Sequence, residues 1–205
     1  MFQPVKLLLA AGLGLFAALA SAAGDVGMID RLGGEIAVKS SAGTNFKASA
    51  FMKVREGDIF TLPKGSELQI VYFDGRRREL WQGPASLRTG KTGSEALAGT
   101  PAAITETKGA PTREALVQAG NVQRLGTLVM REGRAGPPYQ PTDEVIANYK
   151  AWTASAAPDD ILPELYILSV LQDREMVNLK PYLDALKRKQ PERADVKALI
   201  EQLSR

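Results

Sequence analysis

Between Arg55 and Arg88 the chain reads REGDIFTLPKGSELQIVYFDGRRRELWQGPASLR, with two turn signals at β-hairpin spacing inside strand-like alternation. A segment with that pattern is constrained to fold as antiparallel strands. From Glu67 to Phe73, residues Leu68, Ile70 and Tyr72 share one face, and Glu67, Gln69, Val71 and Phe73 share the other, the period of two that marks a strand. Asp74-Gly75 ends the run. This dipeptide predicts a two-residue type I′ turn, because both central positions need positive φ and these residues tolerate it. With that turn Tyr72 faces Arg77, Ile70 faces Glu79 and Leu68 faces Trp81, while Phe73, Val71 and Gln69 face Arg76, Arg78 and Leu80 on the opposite surface.

Upstream, Arg55-Glu56-Gly57-Asp58 reads as a turn into a strand at Ile59-Phe60-Thr61-Leu62, and Pro63-Lys64-Gly65-Ser66 reads as the next turn. Downstream, Gly83-Pro84 interrupts pairing, which resumes from Ala85 to Arg88. Gly34 to Val38 is an earlier strand, with Ile36 and Val38 on one face. Short strands at this spacing predict a small β-sandwich or barrel-like meander.

These residues resemble the periplasmic FecR domain. The resemblance rests on Gly57, Asp58, Ile59, Thr61, Ser66, Leu68, Ile70, Asp74, Gly75, Leu80, Ser86 and Leu87, and it runs from Val26 to Arg88, roughly a third of the chain. The matched positions are turn and core residues, so the resemblance implies a fold rather than a chemistry. Members of the family relay signals from an outer-membrane transporter to an anti-sigma or sigma factor, and carry a cytoplasmic region and a membrane helix ahead of this domain. Here a candidate export signal stands in that place, so the expectation is a free-standing periplasmic module.

In that signal, Lys6 and the amino terminus form the n-region, Leu7 to Leu19 is an uncharged apolar h-region, and Ala20-Ser21-Ala22 fits the small-x-small cleavage rule. The adopted reading is cleavage after Ala22. The alternative is an uncleaved anchor, but an apolar run of about 16 to 17 residues falls short of the ~20 that a span needs. No Cys follows to carry a lipid.

Composition narrows the function. Without residues 1–22 the chain keeps 25 basic and 23 acidic side chains, a net charge of +2, which gives no strong pull toward nucleic acid or acidic lipid. There is no cysteine, so an exported chain of this kind depends on burial alone for its stability. There is no histidine either, which removes Ser-His-Asp and Cys-His catalysis, His-containing zinc sites and imidazole acid–base chemistry. A Ser-x-x-Lys motif and a Gly-rich phosphate loop are both missing. Asp159, Asp160 and Glu164 sit where acidic residues cap a helix and complement its dipole. The expectation is a non-enzymatic protein without cofactor or metal.

From Gly90 to Pro141 the composition turns to Gly, Ala, Pro and Thr, so residues 91–141 read as a linker carrying one short hydrophobic insert, Val122 to Met130, that docks elsewhere. Beyond Pro141 the period becomes helical. Thr142 with Asp143-Glu144 starts a run carrying Val145, Ile146, Tyr149 and Trp152, and Asp159 or Asp160 starts a second carrying Leu162, Leu165, Tyr166, Leu168 and Leu171. A third spans Met176 to Lys189 and a fourth Pro191 to Leu203. Four short helices predict an antiparallel bundle. The last two runs, joined at Gln190-Pro191, resemble the end of a tetratricopeptide repeat, though without a second copy at the family's period of about 34 residues; an unrelated small bundle stays open.

The chain therefore reads as α+β with segregated parts: signal peptide 1–22, FecR-like β domain 23–90, linker 91–141 and helical domain 142–205. The candidate binding residues are Tyr72, Arg76, Arg77, Arg78 and Trp81, a basic-aromatic hairpin suited to anionic or sugar groups. The expected partner is an envelope protein or a cell-wall glycan, not nucleic acid, with no membrane span after cleavage. Two alternatives remain: an enzyme acting on envelope polymers through carboxylates, and a membrane-anchored FecR-like signalling protein.

Overall fold

The computed structural model describes residues 24–109, 112–122, 142–171 and 178–204. The candidate signal peptide and residues 123–130 of the hydrophobic insert lie outside them. Among the described residues the strands come first: β1 (Asp25–Gly33), β2 (Ala37–Lys39), β3 (Asn45–Lys47), β4 (Lys53–Arg55), β5 (Ile59–Leu62), β6 (Glu67–Tyr72), β7 (Arg77–Gln82), β8 (Ala85–Thr89), β9 (Ser94–Ala98) and β10 (Ala103–Glu106). The helices follow: α1 (Arg113–Ala119), α2 (Thr142–Ser155), α3 (Leu162–Leu171), α4 (Lys180–Lys189) and α5 (Ala194–Leu203). The chain is thus α+β with its two kinds of structure segregated.

The strands form two antiparallel sheets, a first in the order β10-β7-β6-β1-β4 and a second in the order β3-β2-β5-β8-β9. The chain crosses between sheets at both open sides of this sandwich, from β3 to β4 on one side and from β9 to β10 on the other. A cis Gly83–Pro84 peptide lies between β7 of the first sheet and β8 of the second.

The β6–β7 register matches the expectation, with Leu68 opposite Trp81, Ile70 opposite Glu79 and Val71 opposite Arg78. The turn does not. Positive φ falls on Gly75 and Arg76, at 81° and 52°, so the reversal is shifted by one residue and the ladder closes before Phe73. Phe73 instead donates its N–H to the Val26 carbonyl at 2.9 Å, and its ring turns away from the sandwich.

That departure shows where the second core lies. Leu68, Ile70 and Tyr72 face the sandwich interior with Val26, Ile29, Ile36, Val38, Phe60, Trp81 and Leu87. Val71 and Phe73 face the other way and pack with Met28 and Phe51 against Leu116, Trp152, Leu165, Tyr166 and Leu168. The first sheet is therefore a middle layer, apolar on both faces, between the second sheet and the helices. Such double coverage is why β6 buries four of its six residues completely or nearly so.

Residues 91–141 need correction in their described part. Where a linker was expected, β9 pairs with β8 and β10 pairs with β7, and α1, capped by the Thr112 hydroxyl accepting from Ala115 N–H at 3.1 Å, buries Ala115, Leu116 and Ala119. In the helical layer α3 is the central element, with every residue but Val170 buried. It packs against α1, α2 and α4.

Candidate functional site

The five hairpin residues singled out in the sequence do not come together on the surface. Tyr72 and Trp81 are 0% and 1% exposed inside the sandwich, so neither ring can stack on a ligand. Arg78 lies on the opposite face of β7, against the helices, with its guanidinium 3.0 Å from Asp160 and 3.7 Å from Asp30. Only Arg76 is exposed, at the turn. The basic-aromatic grip is replaced by alternation: three consecutive arginines meet solvent, the sandwich rim and the helix interface in turn.

At the rim Arg77 donates Nε–H to the fully buried Glu79 carboxylate, which also accepts from Trp81 Nε1–H at 3.1 Å and from Ser94 N–H at 3.1 Å. The Tyr72 hydroxyl lies 2.6 Å from the Ser94 hydroxyl, and burial pushes the Tyr72 phenol well above its ordinary range. Gly93 permits this convergence, since a Cβ there would stand 2.9 Å from Arg77 Nε. Glu79 thus ties β7 of the first sheet to β9 of the second, with its lone pairs filled from three sides. It is a closed structural network, because neither of its oxygens is left to a reactant.

The two open sides of the sandwich differ in a way that bears on binding. On one side the terminal strands β3 and β4 are three residues each and carry Lys47, Lys53 and Arg55, the brevity and charge that protect a sheet edge. On the other side the terminal strands β9 and β10, SEALA and AITE, contain no lysine, arginine or proline. All of their residues but Ser94 are exposed, including Leu97 at 43% and Ile104 at 51%. Each is the last strand of its sheet, so its outer row of backbone N–H and C=O groups is unpaired within the described sheets.

Two clefts among the described residues are lined by carboxylates that bear on chemistry. One, of about 440 Å³, lies beside β3 and β4, with Asp25, Phe46, Lys53, Arg55 and Asp58 in its wall. Its carboxylates are engaged: Asp58 accepts from Ser41 N–H at 3.0 Å and Arg55 N–H at 2.9 Å, and Asp25 pairs with Lys53 at 3.4 Å. The other, of about 560 Å³, lies between α2, α3 and α4. There the fully buried Glu164 takes Lys189 Nζ at 2.7 Å and the Tyr149 hydroxyl at 3.2 Å. Burial raises the Glu164 carboxyl above the usual range, with the Lys189 ammonium opposing it, and it pushes the Tyr149 phenol up to about 12. Among the described residues no cluster of acidic side chains has the arrangement of a metal site, and no helix is long and apolar enough to cross a membrane.

Sequence reasoning missed β9 and β10, and it placed Asp160 and Glu164 as helix-start acids without their partners. Asp160 does cap α3, accepting Leu162 N–H at 3.0 Å; its pairing with Arg78 had no local signal.

No known family model matches the chain, and no curated protein matches it. Among solved structures, one described as "Cell surface anchoring domain" aligns with 33% of this chain and 87% of its own length, at 18% identity and a TM-score of 0.31. A likeness at that score carries no argument about fold or function.

Proposed function

We propose that this chain is an exported, non-enzymatic module of FecR type that binds an envelope protein by adding an extended segment of it to the β9 or β10 edge. The observation that carries this reading is the asymmetry of the sandwich: one side is short and cationic, the other longer, exposed and without lysine, arginine or proline. Export rests on the signal pattern of residues 1–22. The non-enzymatic reading draws support from the missing histidine and from carboxylates committed to Arg77, Lys53, Arg78 and Lys189.

A photo-crosslinking residue placed at 97 or 104 in the exported protein should give a discrete higher-mass adduct, and one at position 46, on β3, should not. Equal crosslinking at all three positions, or none at 97 and 104, defeats the edge reading. Amino-terminal sequencing settles the anchored alternative in the same preparation, because a start at Ala23 leaves no anchor.

A second reading has its own observation. Phe46 is 39% exposed in the cleft with Ser40, Ser49, Lys53 and Arg55, an aromatic face among polar groups that suits a glycan. Retention of the protein on insoluble cell wall that is lost in Phe46→Ala, with crosslinking at 97 and 104 absent, would favour it.

A further inference from the structure

The densest buried charge of the described residues lies where the helices meet the first sheet, and it is built from distant parts of the chain. In β1 the register against β6 steps from Ile29↔Ile70 to Arg31↔Gln69, so Asp30 is the extra residue of a β-bulge, a device that re-aims a side chain. Its carboxylate is 4% exposed. From β7, Arg78 reaches Asp30 at 3.7 Å and Asp160 at 3.0 Å. From the start of α5, Arg193 donates to the Asp30 carbonyl, but its charge is taken up by Asp195 at 2.7 Å. Arg31, the remaining neighbour on β1, pairs with Glu67 at 3.4 Å, and the exposed Asp159 lies next to Asp160.

Two carboxylates, Asp30 and Asp160, therefore share one guanidinium in a dry interface. Asp160 has the shorter contact, while Asp30 Oδ1 has no hydrogen-bond partner, nor does Arg78 Nε. Ionised, Asp30 is a desolvated anion with an open oxygen, a costly state. Protonated, it removes one of the two like charges facing Arg78.

We propose that Asp30 is a proton-operated latch: the helical layer closes more tightly on the sandwich when Asp30 is neutral and loosens when it is ionised. The direction agrees with its titration, which burial raises, Asp160 raises further, and Arg78, Arg193 and Arg31 oppose. Because the folded carboxyl holds its proton at higher pH than the unfolded one, the folded state binds more protons across that window. Stability is then greatest below the ordinary aspartate range and falls as pH rises through the folded value. This latch uses no residue of β9 or β10 and stands apart from the edge reading.

Amide hydrogen exchange of the mature full-length chain, corrected for intrinsic rates, tests it from below the ordinary aspartate value of ~3.9 up to about pH 8. Protection in α3 and α5 should rise as the pH falls, about tenfold for each unit by which Asp30 titrates above an ordinary aspartate. Asp30→Asn, which fixes the neutral form, should hold that protection high and remove Asp30's share of the pH slope, leaving only the part that Glu164 contributes. A slope unchanged in Asp30→Asn, or protection that falls in acid, overturns the latch. Should the variant fail to fold, carboxyl NMR of the wild type decides: a midpoint for Asp30 at or below ~3.9, the ordinary value, refutes the proposal, and one above it that moves down in Asp160→Asn supports it.

Discussion

The two faces of the first sheet are sealed by different chemistry. Toward the second sheet it presents Leu68, Ile70, Tyr72 and Trp81 to an apolar interior, with one buried acid, Glu79, whose partners lie on its own strand β7 and on β9. Toward the helices it presents Met28, Val71 and Phe73, but that interface also buries Asp30 and Arg78 from the sheet against Asp160 and Arg193 from the helical part. A hydrocarbon interface is tolerant of small shifts, because burial is nearly non-directional. An interface with shared charges holds one register and one angle, since a small slip leaves an ion without its partner. The sandwich core supplies cohesion, and the helix interface supplies cohesion together with a fixed seat.

The sharpest way to break that contrast is to remove the shared cation. Arg78→Ala leaves Asp30 and Asp160 facing each other in a buried site and should destabilise by about 3–5 kcal/mol at neutral pH, measured by urea unfolding. Trp152→Ala attacks the same interface without removing a charge. Trp152 is fully buried, its Nε1–H donates to the Lys108 carbonyl at 3.2 Å, and its ring lies 5.9 Å from that of Tyr166, so about 3–5 kcal/mol is expected. Because β1 and β6 contribute to both cores, each variant should still unfold in a single transition. Two separate transitions, with the sandwich unaffected, would show that the faces are energetically independent.

The same contrast explains what could be read in the sequence. Alternation from Leu68 to Tyr72 and the β6–β7 register were legible, because each depends on residues within one hairpin. The fate of Arg78 was not, since its partner Asp160 is 82 positions away and nothing local says that this face is covered. Positions 94–98 and 103–106 looked like linker for a physical reason: edge strands exposed on both faces carry no alternation. The turn was displaced by one residue because Arg76 adopts the left-handed region that Asp74 was expected to take.

A smaller effect probes the strand pairing common to both faces. At Gly27, opposite Tyr72 in β6, a Cβ would stand 2.5 Å from the Val71 carbonyl oxygen. Backbone cannot yield as a side chain can, so Gly27→Ala should cost about 1–3 kcal/mol. Gly24→Ala provides the control for added bulk, since a Cβ there meets nothing within 4 Å and its backbone is outside the left-handed region.

The acid of the helical layer gives a change in pH slope. Burial raises Glu164 against the pull of Lys189, so its folded form binds a proton at pH values where the unfolded chain has released it. Its contribution to stability should fall as pH rises above the ordinary glutamate range, and Glu164→Gln should flatten that part of the curve. The comparison is best made in the Asp30→Asn background, where the sheet-side acid no longer titrates. A slope of opposite sign would mean that Lys189 outweighs burial.

The smallest effect is expected at Arg76, next to the largest. Arg76 is exposed, and its backbone sits at φ 52°, a region that favours glycine. Its carbonyl accepts from Thr107 N–H at 2.7 Å, a bond that any residue preserves. Arg76→Gly removes the left-handed strain and adds unfolded-state entropy, two terms of similar size and opposite sign, so stability should change by no more than about 0.5 kcal/mol. Two residues along, Arg78 lies within β7 and under the helices, paired with Asp160, whereas Arg76 precedes the strand in the open turn. A loss at Arg76 comparable to that at Arg78 would mean that side-chain charge at the turn, rather than coverage by the helices, governs how this hairpin is held.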